Sequence, residues 1–378
     1  MHKLYIFTAV IIGILTFSCI DTDDEPGDIP PYVTLIAVAT SEFDFSVSNF
    51  DLISTEDYMD YHVISNLIDG LHTDLAIRAA GGGVYILERF GKDNVLKYNP
   101  KKMGVAYQQS IGAGGLNIQD IAVISETKAY ISSLNSSDLI VFNPLIGKAV
   151  STIDLSRFNA FVGTDSAEAH PFVSALARRG HYVYAACQRL KIGQTPFGPG
   201  PILGDTSLIA VIDTRTDEIV GEIRLNKKNP ATMSIYGSMM LVASSGSWFD
   251  ETMAMSGVEM INLASNTNLG VVVEGNDLSG NPNNILFVSP DRAYIGVSLS
   301  DWSVGIFPFN PVTSTVGAKI DGIGDGFGGM VYDGVKLYVG DRGFDSAGVV
   351  VVNPSTNTVE RRIQTGMPPS ALAVIFAD

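Results

Sequence analysis

The chain has 378 residues, 46% of them hydrophobic and 17% charged, with a formal net charge of −16. The apolar fraction is ample for a large core. The acidic balance, with no basic run, excludes a surface that tracks nucleic-acid phosphates and suits neutral or cationic partners instead.

The chain opens on a targeting segment rather than on part of a fold. His2 and Lys3 precede an apolar run from Leu4 to Phe17. That run is shorter than the about 20 residues needed to span a bilayer as a helix. It has the length of a secretory apolar region. Thr16-Phe17-Ser18-Cys19 resembles a bacterial lipobox, with its leucine one place early at Leu15. The resemblance implies a signal peptide over 1–18 and lipidation of Cys19. It therefore implies a protein of the cell envelope, anchored to the outer membrane and either surface-exposed or periplasmic.

Residues 19–32 carry five acids (Asp21, Asp23, Asp24, Glu25, Asp28) and three prolines. Such a segment cannot bury enough surface to order itself and reads as a flexible tether. The other cysteine, Cys187, closes the apolar run "HYVYAAC". With Cys19 lipidated no intrachain disulfide can form, and Cys187 is expected to be buried as a small hydrophobe.

From residue 33 onward the chain repeats one short pattern of strands and turns. "TDLAIRAAGGGVYILERFGKDNVLKYNP" at 73–100 is answered by "IQDIAVISETKAYISSLNSSDLIVFNP" at 118–144. The second strand of each unit carries a landmark at Tyr85, Tyr130, Tyr184, Leu241, Tyr294 and Tyr338, spaced by 45, 54, 57, 53 and 44 residues. The third strand ends at Asn99-Pro100, Asn143-Pro144, Asp213-Thr214, Asn262-Leu263, Asn310-Pro311 and Asn353-Pro354.

Six units are therefore plain, and a seventh is split across the ends. "TLIAVAT", "FDFSV" and the stretch before His72 supply its outer strands, and "PPSALAVIFAD" supplies the innermost one. Four-stranded units at this period predict an all-β, seven-bladed β-propeller of antiparallel blades. The C-terminal strand joins the first blade and closes the ring, so one domain over 33–378 replaces the two or three that length alone suggests.

"KAYISSLNSSDLIVFNPLIGKAVSTIDL" and "KLYVGDRGFDSAGVVVVNPSTNTVERRIQTG" resemble the units of the YVTN (YncE-like) β-propeller family of secreted and surface proteins. The likeness covers about residues 35–378. It implies architecture more than activity, since one propeller shape hosts unrelated functions.

The loops between second and third strands share a face with the blade-to-blade connections, the usual binding surface of a propeller. Two are long: "QRLKIGQTPFGPGPILGDTS" in the fourth blade and "SGSWFDETMAMSGV" in the fifth. Just after the second strands stand Arg89 and Phe90, Gln188 and Arg189, Trp248 and Phe249, Asp301 and Trp302, and Arg342 with Phe344. Tryptophan with arginine is the composition of recognition hot spots. Drift of surface loops and capping of the outer core are the competing explanations.

Catalytic signals are thin. His62, His72, His170 and His181 show no metal-binding spacing, and "DGIGDGFGG" has Ile323 and Tyr332 where a calcium loop needs carboxylates. Some related propellers are lactonases that hold a divalent metal in the channel. By that resemblance Asp74, Asp120 and Asn284, which open inner strands, are the channel candidates.

The sequence thus favours a non-catalytic envelope lipoprotein without a cofactor. It would bind a small molecule, a glycan or a surface protein, with an outer-membrane transporter among the candidate partners. A metal-dependent lactonase-like hydrolase and a structural or adhesive module are the alternatives.

Overall fold

A computed structural model describes residues 33–55, 61–112, 114–160, 170–196, 198–247 and 253–376. The expected signal segment and tether, Cys19, Trp248 and Phe249 lie outside the described residues.

Among the described residues the strands form seven four-stranded antiparallel sheets and one small hairpin. The second blade shows the plan, with Leu75–Ala80 innermost, then Gly83–Glu88, Asn94–Asn99 and Gly104–Ser110. All six repeat landmarks lie on second strands. Each innermost strand contacts the next around the ring, and Pro369–Phe376 touches both Leu75–Ala80 and Met330–Tyr332. The fold is a seven-bladed β-propeller.

The first blade is built from both ends of the described chain. Pro369–Phe376 pairs with Val33–Ser41 in a register that sets Ala37 opposite Ala373. Outside that pair lie Ser48–Ser54 and His62–Leu71. The expected strand "FDFSV" is corrected here: residues 43–47 are a turn, and the strand begins at Ser48. Asp44 Oδ1 accepts from Ser46 N at 2.9 Å, and Phe45 has φ 55. A side-chain acceptor two residues back and a left-handed residue both favour a turn over an extended strand.

Strand periodicity explains why seven sheets make one core. Successive side chains point to opposite faces. In the first blade Ile36, Val38 and Ile53 pack against the seventh blade, whereas Ala37, Ala39 and Leu52 pack against the second. Every buried cluster found among the described residues likewise joins two adjoining blades. Strands such as "LIAVID" (Leu208–Asp213) are buried along their whole length, as sheets covered on both sides require. Cys187 is buried and free, as its apolar neighbours implied.

Candidate functional site

Antiparallel alternation puts the loops after the second strands and the connections into each innermost strand on one face. Six of the seven exposed Phe and Trp side chains among the described residues, Phe43, Phe45, Phe90, Trp302, Phe327 and Phe344, belong to those loops; Phe376 ends an innermost strand on the other side. Trp302 is 73% exposed and Phe344 82% exposed, values large enough that neither ring is capping a core.

The first of these loops is organised around Arg342. Its guanidinium donates to Ser41 Oγ at 2.8 Å, Ser41 O at 3.2 Å, Glu42 O at 3.0 Å and Pro368 O at 3.3 Å. The rings of Phe45, Phe43 and Phe327 surround it at 4.5, 5.7 and 5.8 Å. Burial pulls this guanidinium below its ordinary value, and Asp325 opposes the shift. Arg342 thus fastens the seventh blade to the first and holds three aromatic rings at the rim. Phe344 packs on Phe43 with ring centroids 5.3 Å apart.

Phe327 enters from the connection between the sixth and seventh blades, in the 3-10 turn Gly326–Gly328. Asp325 caps that turn through Phe327 N and also accepts from Val304 N at 2.8 Å. The adjacent glycines are required by close approach: a Cβ on Gly340 would lie 2.8 Å from the Gly328 Cα. The "DGFGG" segment is therefore a backbone-packed connection, with its phenylalanine left half exposed.

An open cavity of about 450 Å³ lies beside these rings, lined chiefly by Phe45, Phe327, Asp74, Arg89, Arg78 and Ser370. Two ion pairs frame it. Arg89 Nε donates to Asp74 Oδ1 at 2.8 Å, and its Nη1 to Gln119 Oε1 at 3.1 Å. Arg78 meets Asp120 through Nε at 2.8 Å and Nη2 at 3.1 Å. Phe90 N donates to Asp74 Oδ2 at 3.2 Å, which ties the second-blade loop to the same carboxylate.

The other expected residues divide by environment. Trp302, at φ 69, sits in a turn closed by Trp302 N to Leu299 O at 3.0 Å. Asp301 Oδ1 accepts from Ser303 N at 3.0 Å and Ser303 Oγ at 2.7 Å, which lowers its pKa. Gln188 Nε2 donates to Pro230 O at 3.3 Å. Arg189 is committed to Phe158 O, Thr206 O, Asn159 O and Asp205 Oδ2, and so staples the long fourth-blade loop at its base. That loop rises as a two-stranded hairpin, Lys191–Thr195 with Gly198–Ile202.

Of the three channel candidates, Asp74 is engaged by Arg89. Asp120 accepts from Arg78, Ile121 N at 2.8 Å and Leu176 N at 2.9 Å. Asn284 lies on the sixth innermost strand, opposite Gly296. Among the described residues no three His, Cys, Asp or Glu side chains converge as a metal site. The sequence reading missed Phe43, Phe45 and Phe327. The signal available for them was three phenylalanines in short polar or Gly-rich segments, where no core demands an aromatic.

No protein-family model matches the chain, and no curated protein matches it. Among solved structures it is similar to a chain of hydrazine synthase from Kuenenia stuttgartiensis, with a TM-score of 0.58 and 16% identity, covering 79% of this chain and 90% of that one. It is also similar to a chain of the U3-55K structure, with a TM-score of 0.51 and 12% identity, covering 83% of this chain and 90% of that one. At such identities the likeness concerns fold alone, and it supports the seven-bladed propeller.

Proposed function

We propose that the chain is a YVTN-type envelope lipoprotein, anchored through Cys19, that binds a ligand or partner on the loop face of its propeller without changing it chemically. The observation that carries this reading is the gathering of exposed aromatic side chains on one face, beside an open cavity framed by two arginine–carboxylate pairs. Exposed aromatics are costly to leave in water, and with arginine they form the anchors of recognition surfaces. The ion pairs support this reading, because Asp74 and Asp120 each hold in place an arginine that lines the cavity.

The test is a thermal-shift screen of sugars, corrinoids, siderophores and divalent metals on the mature protein, since any ligand of the native state raises the midpoint. A hit that disappears with Trp302→Gly or Phe90→Ser supports the loop face. A stoichiometric divalent metal that accelerates lactone hydrolysis would replace this reading with the hydrolase.

A further inference from the structure

The cavity beside Arg342 is specific enough in its chemistry to name a ligand class. We infer that it binds a neutral carbohydrate, with one sugar ring seated against Phe45 and Phe327 and its hydroxyls on Asp74 and Arg89. This inference rests on the binding function proposed above and narrows it.

Charge decides first. Each arginine lining the cavity is matched by one carboxylate, Arg78 by Asp120 and Arg89 by Asp74. The cavity therefore offers no uncompensated positive charge to an anion, and the chain around it carries a net charge of −16. An anionic polysaccharide or a phosphate would enter a neutral pocket in a repelling field. A neutral ligand incurs neither penalty.

Hydrogen-bond inventory decides next. A guanidinium has five N–H donors, so Arg78 and Arg89 retain terminal N–H groups beyond those bonded to Asp120, Ile77, Asp74 and Gln119. Asp74 Oδ2 accepts from Phe90 N at 3.2 Å and, as a carboxylate oxygen, keeps a second lone pair. Side by side, spare donors and a spare acceptor suit groups that both donate and accept. Adjacent hydroxyls on a pyranose are such groups.

The opposite wall is apolar. Phe45 and Phe327 supply it, half exposed and with ring centroids 6.1 Å apart, near edge-to-face, above the buried core residues Leu75 and Ile77. A sugar ring presents the matching pair of surfaces, a C–H face for aromatic packing and a polar hydroxyl edge. The cavity's volume of about 450 Å³ lies toward the lower part of the roughly 300–1,000 Å³ range of ligand pockets. That size fits a short sugar segment better than a macrocycle.

The geometry also has an internal support. Phe45 holds φ 55, a left-handed conformation that a bulky residue adopts only when its surroundings impose it. The turn supplies that constraint through Phe45 N to Glu42 O at 3.0 Å and Glu42 N to Val47 O at 3.1 Å, and Arg342 sits 4.5 Å from the ring centroid. Arg342 acts as a positioning residue and lies behind the rings rather than on the ligand.

The experiment titrates the mature protein by calorimetry with three sets of probes. These are neutral oligosaccharides (maltohexaose, cellohexaose, xylohexaose and mannohexaose), anionic ones (oligogalacturonate and a heparin hexasaccharide), and non-sugars (a corrinoid and a siderophore). Saturable binding to a neutral oligosaccharide is expected, weakened about tenfold or more by Phe327→Ser and by Phe45→Gly. Both changes are at half-exposed positions, and Val312→Ser, on the opposite face, serves as the control that leaves affinity unchanged. Binding confined to anionic oligosaccharides or to the non-sugars overturns the neutral-carbohydrate assignment and leaves a loop-face binder standing. Neutral-sugar binding that both phenylalanine variants retain overturns the site. No binding by any probe overturns the carbohydrate assignment and leaves the loop-face reading to the thermal-shift screen.

Discussion

The hydroxyl of Tyr294, on the second strand of the sixth blade, donates to Asn357 Oδ1 at 3.0 Å in the outer turn of the seventh. The contact recurs around the ring. Tyr184 of the fourth blade donates to Asn266 Oδ1 of the fifth at 3.3 Å, and Tyr130 of the third donates to Asp217 of the fourth. Each acceptor sits at positive φ (56, 49 and 60), a conformation that Asn and Asp tolerate better than other side chains. Where the second strand carries Leu241 instead, the next blade has Ser314 at the equivalent turn. At these three junctions the landmark tyrosine of one blade and the turn residue four positions after the end of the next blade's third strand are thus the two halves of an inter-blade clasp.

A double-mutant cycle on that pair tests the clasp. Tyr294→Phe removes the donor while keeping the buried ring, and Asn357→Gly removes the acceptor while keeping the positive φ. Urea denaturation should give a coupling energy of about 0.5–1.5 kcal/mol, the net worth of one intramolecular hydrogen bond. Additive effects would show that the contact contributes nothing beyond ring burial.

Burial of tyrosines in the blades, two clasp residues among them, predicts the alkaline limit of the fold. Burial pushes Tyr85 and Tyr294 up to about 12 from 10.0, and Cys187 up to about 12 from 9.0. It also raises Tyr107, Tyr130 and Tyr338. An acid whose folded value is raised keeps its proton after the unfolded chain has lost it, so the unfolded state binds fewer protons and stability falls as pH rises. The loss should begin near pH 9, steepen above 10 and continue toward 12. Tyrosinate absorbance at 295 nm should then appear in one step with loss of the β-sheet circular dichroism. Titration of these tyrosines near 10 with the sheet intact would contradict their burial. At pH 8 the Cys187 thiol should be inert to thiol reagents until the protein is unfolded.

Arg342→Lys tests the ring latch. A lysine ammonium cannot reach Ser41, Glu42 and Pro368 together, so buried carbonyls lose their donors while the charge stays. The cost should be about 2–4 kcal/mol in chemical denaturation. Ligand affinity should fall as well, because Phe45 and Phe327 lose the cation that orders them. An unchanged midpoint would mean that strand pairing between Pro369–Phe376 and Val33–Ser41 closes the ring unaided.

The fold was legible because it rests on turn chemistry and burial, which leave local marks. Asn-Pro turns, landmark tyrosines and runs such as "VVVVNP" recur wherever a blade recurs. The split first blade was legible in its closing strand and not in its second hairpin, where F-D-F alternation imitates a strand. Only the positive φ at Phe45 and the Asp44–Ser46 bond reveal the turn. The loop face that carries the candidate site was legible: Phe90, Trp302 and Phe344 stand exposed on the loops that the repeat assigns to it. Its internal geometry was not, because composition cannot tell an arginine that reaches outward from one that bonds its own backbone. Arg189 and Arg342 are bonded to carbonyls of distant loops, and those contacts exist only after the ring is closed.

Trp302 gives a prediction in which stability and binding move in opposite directions. Its ring is 73% exposed, so little burial energy holds it in place. Its backbone sits at φ 69, fixed by the bond to Leu299 O and by the Asp301–Ser303 contacts. A bulky residue in that region costs about 1–2 kcal/mol relative to glycine. Trp302→Gly relieves the strain but gives the unfolded chain more freedom to lose, so the net gain should be at most about 1 kcal/mol. Trp302→Ala keeps the strain and removes the ring, and should be neutral or slightly destabilising. If the ring serves binding, both variants lose affinity for whatever the thermal-shift screen identifies, although one is more stable than the parent and the other is not. A ligand midpoint shift that survives in both would remove Trp302 from the binding face and leave its strained backbone without a functional reason.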